Sequence, residues 1–302
     1  MQRKTLNLVL GGVAIALLAV IVLRKQHEAA KADADRNGAP ATTLVASAIQ
    51  HITLQHAGAP DIALERAGTQ WRLTAPVAAE ADPVAVDRLL KLATGPTRAT
   101  LDPAAVKRGE LGLEPPAATL KLDTTTLTIG GLEPIRFTRY VEVDAGASGD
   151  KIVLLDDPGD TVFGADYSGL VAKNLLPIGA EIRSIALPGL HIARSDHGWR
   201  AEPAGASADV LQAFVARWRV VQSIANEAMP AADTAGDESV ITIELTDGQM
   251  RVYRIVSRSE ELVLDDPALR VRYHMPAAAL DQLLQLPKPA PDAAPVGDAT
   301  PK

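Results

Sequence analysis

The sequence predicts an α+β chain: an N-terminal transmembrane helix followed by two tandem, similar units with mainly antiparallel sheets. Three observations carry this expectation. Leu6 to Leu23 is an 18-residue run without a charged side chain. Short segments of alternating apolar residues recur through the body, and one order of strand signals, a Trp-Arg step, a proline and a helical stripe occurs twice. The expected division is an anchor over 1–25, a tether over 26–46, unit one over 47–178, unit two over 179–286 and a Pro/Ala-rich disordered tail over 287–302.

Composition narrows the function classes. With 302 residues and 47% hydrophobic content, the chain has enough apolar material for two cores. A net charge of -7 argues against nucleic-acid binding, which needs clustered cations against phosphate. The absence of cysteine removes disulfides, thiolate metal sites and thiol nucleophiles. The charge is uneven: once Arg3, Lys4, Arg24 and Lys25 are set aside with the anchor, the remainder carries -11.

As a helix, the Leu6–Leu23 run extends about 27 Å, close to the thickness of a bilayer core. It ends in Val22-Leu23-Arg24-Lys25 rather than in small residues, which favours an uncleaved signal anchor. Ala29, Ala30 and Ala32 keep a cleavable signal peptide as the second reading. With so short an N-terminal tail, the expected topology is a single pass through a bacterial inner membrane, N-terminus in the cytoplasm and body in the periplasm. From Gln26 to Ala46 no apolar period is visible, hence the tether.

Unit one opens with Ile49, Ile52 and Leu54, continues through Ile62-Ala63-Leu64-Glu65-Arg66 and a Gly68 turn, and reaches Trp71-Arg72-Leu73 before Pro76. Unit two repeats this with Ile182, Ile185 and Leu187, then His191-Ile192-Ala193-Arg194, a Gly198 turn and Trp199-Arg200 before Pro203. Each then shows helical spacing: Val86, Leu89, Leu90 and Ala93 in the first, Leu211, Phe214, Val215 and Trp218 in the second. Asp82-Pro83 supplies one helix start, and Ser207 or Asp209 the other. Strand patterns follow at Leu120, Leu122, Leu127 and Ile129, and at Ile241, Ile243, Leu245 and Val252. The tetrapeptide Leu-Asp-Asp-Pro stands at 155–158 and again at 264–267, which suggests equivalent turns. Short apolar helices around Leu170–Leu175 and Leu280–Leu284 are expected to close the two units. The tryptophans lie 128 positions apart and the tetrapeptides 109, so unit one reads as the longer copy.

The run from Ile62 to Arg66 through Trp71-Arg72-Leu73-Thr74-Ala75-Pro76, then Ala81-Asp82 before a Leu-rich helix, then Leu111-Gly112-Leu113-Glu114-Pro115-Pro116, resembles the domain-of-unknown-function family 4340. The resemblance covers roughly Ile49 to Leu286 and is weaker in unit two, which lacks a Gly-Leu-x-x-Pro counterpart. It implies an exported accessory part of a gliding-motility-type ABC transport system, and it brings no catalytic residues with it.

The chemical candidates each have a structural reading. Asp156-Asp157 and Asp265-Asp266 could offer oxygen ligands to a cation, but strand ends with Asp caps and a stopping Pro explain them better. His51 and His56 differ in strand parity, and His191 and His197 are parted by the turn at Asp196-His197-Gly198, so surface roles are expected. Ser168 lacks a nucleophile elbow. Gly130-Gly131 forms neither a dinucleotide fingerprint nor a phosphate loop. Arg136 and Arg139 beside Phe137 and Tyr140 could form a basic-aromatic patch for an acidic glycan or lipid headgroup, although an exposed sheet face is the commoner reading. Trp71, Trp199 and Trp218 read as packing residues. No catalytic, cofactor or metal residue is assigned, and no cofactor is expected.

The functional expectation is a membrane-anchored, non-enzymatic scaffold or accessory module with an envelope protein partner, such as ABC transporter subunits. A periplasmic binding module for an envelope glycan or lipid is the alternative.

Overall fold

Alternation of apolar residues decides most of the structure, a computed structural model that describes residues 38–144, 150–230 and 239–287. The expected transmembrane helix, the tether up to Arg36-Asn37 and the tail from 288 on lie outside the described residues. Among the described residues no helix is long and apolar enough to cross a membrane.

Along the chain come strands β1 (His51–Gln55), β2 (Ile62–Ala67), β3 (Gln70–Ala75) and β4 (Ala79–Glu80), helix α1 (Pro83–Thr94), β5 (Ala99–Leu101), β6 (Ala118–Leu122), β7 (Thr125–Glu133), β8 (Thr138–Val143), β9 (Lys151–Asp156) and the one-turn helix α2 (Asp160–Phe163). The second series is β10 (Ile182–Leu187), β11 (Leu190–Ser195), β12 (Gly198–Glu202), α3 (Ala208–Val220), β13 (Ala225–Ala228), β14 (Val240–Leu245), β15 (Met250–Ser257), β16 (Val263–Asp266), β17 (Val271–His274) and α4 (Ala279–Leu284). The class is mostly antiparallel sheet with few helices. Contacts divide the chain into one unit built from the stretch up to Pro76 with Pro83–Ala165, and a second built from Val77–Asp82 with the stretch from Asp166 on.

In unit one the strands lie in the order β3-β2-β1-β6-β7-β8-β9-β5. In unit two the order is β12-β11-β10-β14-β15-β16-β17-β13. Position by position these are the same sheet, with a three-strand meander, a helix, a lone strand sent to the far edge and a four-strand meander. The repeat seen in the sequence is therefore a repeat of topology.

Period-2 alternation places the cores. Ile52 and Leu54 on β1 and Leu120 and Leu122 on β6 are fully buried, and Ile52 pairs with Leu64 on one side and Leu122 on the other. The odd step from Ile182 to Ile185 is accommodated by a register shift between Ile182 and Ser184. Both helical stripes face inward: Val86, Leu89, Leu90 and Ala93 are buried, as are Leu211, Phe214, Val215 and Trp218. Each large apolar side chain so placed contributes roughly 1.5–3 kcal/mol. Ser207 caps α3, its hydroxyl accepting from the Val210 N–H. In unit two Tyr253 and Tyr273 meet edge to face with ring centroids 6.3 Å apart, and the Tyr253 hydroxyl donates to the Leu175 carbonyl.

Several expectations are corrected. The residues after Leu170 form no helix: a 3-10 turn spans Tyr167–Leu170, and Val171 and Asn174 then bridge to Ala81 and Gln222 as extended backbone. The short closing helix at the other end is present as α4. Residues 38–46 are laid against unit one, where Ala41 is fully buried and the Thr42 N–H reaches the Ala93 carbonyl at 3.0 Å.

The repeated tetrapeptides are not equivalent. Leu155-Asp156 ends β9, the last strand of its meander, and Asp156 pairs with Thr138. Leu264-Asp265-Asp266 ends β16, the penultimate strand, at the turn into β17. Their spacing therefore does not measure the repeat. The tryptophans do: Trp71 pairs with Arg66 across β2–β3, and Trp199 pairs with Arg194 across β11–β12.

Candidate functional site

The region of unit one with the most unusual local construction is the end of the sheet that carries the β7–β8 hairpin. It is built from below by three glycines, Gly112, Gly130 and Gly131. Residues Arg108–Leu111 form a 3-10 turn closed by Gly112 at φ 67, a left-handed conformation suited to glycine. A Cβ on Gly112 would lie 2.8 Å from the Gly131 nitrogen, and one on Gly130 would lie 2.6 Å from the Leu111 carbonyl oxygen and 2.9 Å from Leu113 Cδ2. Gly130-Gly131 thus serves close packing of this turn, with the register of β7 shifting between Ile129 and Leu132 beside it. Leu113, from the Gly-Leu-Glu-Pro-Pro run, is buried there.

Above the glycines, Arg139 is turned inward with 7% exposure. Its Nε donates to Asp157 Oδ1 at 2.7 Å, its Nη1 donates to the Gly130 carbonyl at 3.1 Å, and its guanidinium stands 4.4 Å from the Phe163 ring centroid. The alternative patch of Arg136, Phe137, Arg139 and Tyr140 is accordingly not assembled, and Arg139 does not stand on the exposed sheet face that the commoner reading expects. Arg139 belongs to the interior because Asp157 and Phe163, brought in by the end of β9 and by α2, supply its counter-charge and its stacking surface. Tyr140 is half-buried, while Arg136 and Phe137 remain at the tip.

The tip is Pro134-Ile135-Arg136-Phe137, between the paired residues Glu133 and Thr138. The Glu133 carboxylate accepts from the Ile135 N–H at 3.1 Å and the Arg136 N–H at 2.7 Å, which shapes the turn and occupies the local negative charge. Ile135 is 83% exposed, Phe137 69% and Leu132 42%. Phe137 has φ 55, a conformation that Gly or Asn adopts at less cost.

The tetrapeptide carboxylates serve ion pairs and turns. Arg98 holds Asp156 through Nε at 2.8 Å and Nη2 at 2.6 Å, and this hydrogen bonding lowers the Asp156 pKa against a smaller opposing effect of burial. In unit two Arg272 grips Asp265 through Nε at 2.7 Å and Nη2 at 3.0 Å. Asp266 accepts from the Ala268 and Leu269 N–H groups, and burial raises its pKa despite those bonds. Ser168 is fully buried, and its hydroxyl donates to Asp166, whose carboxylate also accepts from the Ala228 N–H.

The histidines are scattered. Exposed His51 lies 3.3 Å from Asp123, His56 meets the Phe163 carbonyl through Nε2, and His191 and His197 are exposed. Among the described residues no group of three or more His, Asp and Glu is arranged to hold a metal ion. One arrangement escaped sequence reasoning: His274 on β17 lies between Glu261, 2.8 Å from Nδ1, and Glu227, 3.2 Å from Nε2. These acids come from β13 and from the turn before β16, so no spacing in the chain announces the triplet.

The tryptophans differ. Trp71 is buried with Arg66 stacked 4.5 Å above its ring centroid, and Trp218 is fully buried in the α3 stripe. Trp199, contrary to the packing expectation, is half-exposed, and its indole N–H donates to Gln212 on α3 at 2.8 Å. The cross-strand partners differ accordingly: Arg66 lies over the Trp71 ring, whereas Arg194, opposite Trp199, reaches Glu181 at 3.8 Å.

No curated protein and no solved structure matches the chain. A family described as a domain of unknown function, DUF4340, matches residues 71–235, from Trp71 on β3 through α3 and β13. That stretch is more than half of the sequence and includes the Gly-Leu-Glu-Pro-Pro turn, the double glycine and the whole β7–β8 hairpin, so the chain belongs to the DUF4340 family.

Proposed function

We propose that the chain is a single-pass, membrane-anchored envelope protein whose two sheet units act as a non-enzymatic scaffold or accessory module of an ABC-type transport system. The observation that carries this reading is the uncharged run Leu6–Leu23 between Arg3-Lys4 and Arg24-Lys25, joined to a duplicated sheet plan. The internal use of charge supports it further: Arg139 is paired with Asp157 inside unit one, and Arg272 with Asp265 inside unit two.

Two experiments test it. A reporter active only outside the cytoplasm, fused after Lys302, is expected to be active, whereas activity of a cytoplasm-only reporter at that position overturns the topology. Crosslinking in intact membranes is expected to recover a permease or ATPase subunit. Recovery of the protein alone with a co-purified glycan or lipid would instead make it a binding module.

A further inference from the structure

We infer that the β7–β8 hairpin tip, Pro134-Ile135-Arg136-Phe137 with Leu132 beneath it, is a second membrane contact that dips into the interface of an anionic phospholipid bilayer. This inference rests on the anchoring reading above and adds to it a defined face of unit one.

The first support is where the chain enters the unit. The Ala39 carbonyl accepts from the Thr97 N–H at 3.0 Å and from its hydroxyl at 2.9 Å, and Pro40 bridges to Pro96. Thr97 leads through Arg98 into β5, and Arg98 pairs with Asp156 at the end of β9. Asp156 in turn pairs with Thr138, the first residue after the tip. Entry point and tip thus lie at one end of the sheet, across β5, β9 and β8, about 14 Å apart by the usual strand spacing. The opposite end of β7, at Thr124-Thr125, is about 30 Å away along the strand.

The reach of the tether makes this end the one nearest the bilayer. Residues 24–37 are 14 in number between the apolar run and the first described residue. Were these residues the tether that the sequence suggests, a coil of 14 residues would have an r.m.s. span of about 20 Å, against about 30 Å for the length of β7. An anchored unit therefore carries its hairpin tip toward the lipid surface.

The second support is chemistry. Ile135 and Phe137 are among the most exposed large apolar side chains of the described residues, on a convex turn that suits a deformable interface better than a rigid partner. Between them Arg136 offers a guanidinium to lipid phosphate, its stem lying along the apolar boundary. Glu133, the nearest acid in sequence, is occupied by the turn's own N–H groups. On a chain of net charge -7 that an anionic membrane repels, an apolar-cation-apolar tip selects one face for contact.

The chain has no cysteine, so single-site labelling is clean. The test uses the full chain reconstituted into vesicles of phosphatidylethanolamine and phosphatidylglycerol. Ile135→Cys and Phe137→Cys, each carrying an environment-sensitive fluorophore, are compared with Thr124→Cys at the far end of β7. The expected result is carbonate-resistant membrane association, with blue-shifted emission at 135 and 137 and severalfold stronger quenching by nitroxide lipids than at 124. Labels at 135 and 137 as wet as the one at 124, on a chain that stays in the membrane, overturn this inference and leave the anchor standing. Blue-shifted labels that lipid nitroxides do not quench also overturn it, because the cover is then a second copy or another protein. A chain extracted by carbonate overturns both readings together.

Discussion

Asp265 and Asp266 are adjacent on β16, yet they have opposite partners: Arg272 holds the first with two hydrogen bonds, and the second accepts from the backbone N–H groups of Ala268 and Leu269. Their exposures are 1% and 2%, so burial alone does not distinguish them. The consequences of neutralising each one differ.

Asp265→Asn removes the nearer counter-charge of a largely buried guanidinium, which keeps Glu227 at 3.9 Å, and is expected to destabilise unit two by about 1.5–3 kcal/mol. Asp266→Asn keeps an oxygen for the same N–H groups and relieves the burial that raises the Asp266 pKa. Because the fold disfavours ionised Asp266, its charge detracts from stability at neutral pH, and the Asn variant is expected within about 1 kcal/mol of wild type or above it. Denaturant midpoints of the detergent-solubilised variants check this, and a loss at Asp266 equal to that at Asp265 would refute it.

His274 provides a pH signature. Burial pulls its pKa down, but hydrogen bonds to Glu261 and Glu227 outweigh that effect and leave it above the ordinary 6.5. A proton held more tightly in the fold stabilises fully below the unfolded pKa, and that stabilisation is lost as pH rises through the folded value. The gap in stability between wild type and His274→Asn should therefore be largest in mildly acidic buffer and shrink toward alkaline pH. Its size should stay below about 1 kcal/mol, since Glu227 is half-exposed. A gap that widens with pH would contradict the assignment.

Trp71 and Trp199 hold matched positions but should respond unequally. Trp71→Ala empties a buried site beneath Arg66 and is expected to cost about 3–5 kcal/mol. Trp199→Ala loses the bond to Gln212 and half-exposed surface, about 1 kcal/mol. Equal losses in thermal melts would show that the two meanders pack alike.

At the double glycine, Gly130→Ala forces a methyl against the Leu111 carbonyl and Leu113, whereas at Gly131 the Leu111 oxygen stands 3.4 Å away and can yield. The first substitution is expected to destabilise unit one by about 1–3 kcal/mol and the second by less than about 1 kcal/mol. Equal melting temperatures would remove the close-packing role.

Local periodicity made the two long helices legible: all four residues of each expected stripe are buried. It made most strands legible too, because Ile52, Leu54, Leu120 and Leu122 alternate as a half-buried strand must. What it could not supply was partnership between strands. The tetrapeptides looked equivalent as strings, but the pairing of Asp156 with Thr138 and of Asp265 with Arg272 places them on different strands of the repeat. Arg139 looked like surface because Asp157 and Phe163 are distant in sequence. His274 was passed over because both its acids arrive from other elements. Trp199 was misjudged because burial of an aromatic depends on its cross-strand neighbour, and Arg194 is drawn to Glu181 where Arg66 lies over Trp71.

The first strand of each repeated series is an inner strand, β1 lying between β2 and β6 and β10 between β11 and β14. Ile52 finds Leu64 early in the emerging chain but must wait for Leu122. A unit delivered N-terminus first, from a ribosome or through a translocon, therefore holds one edge of an apolar strand open until most of its length has appeared. Completion is then a late closure rather than a stepwise extension. A chain interrupted between β5 and β6 would present β1 as a template for intermolecular pairing, twice over in a protein that repeats the same order.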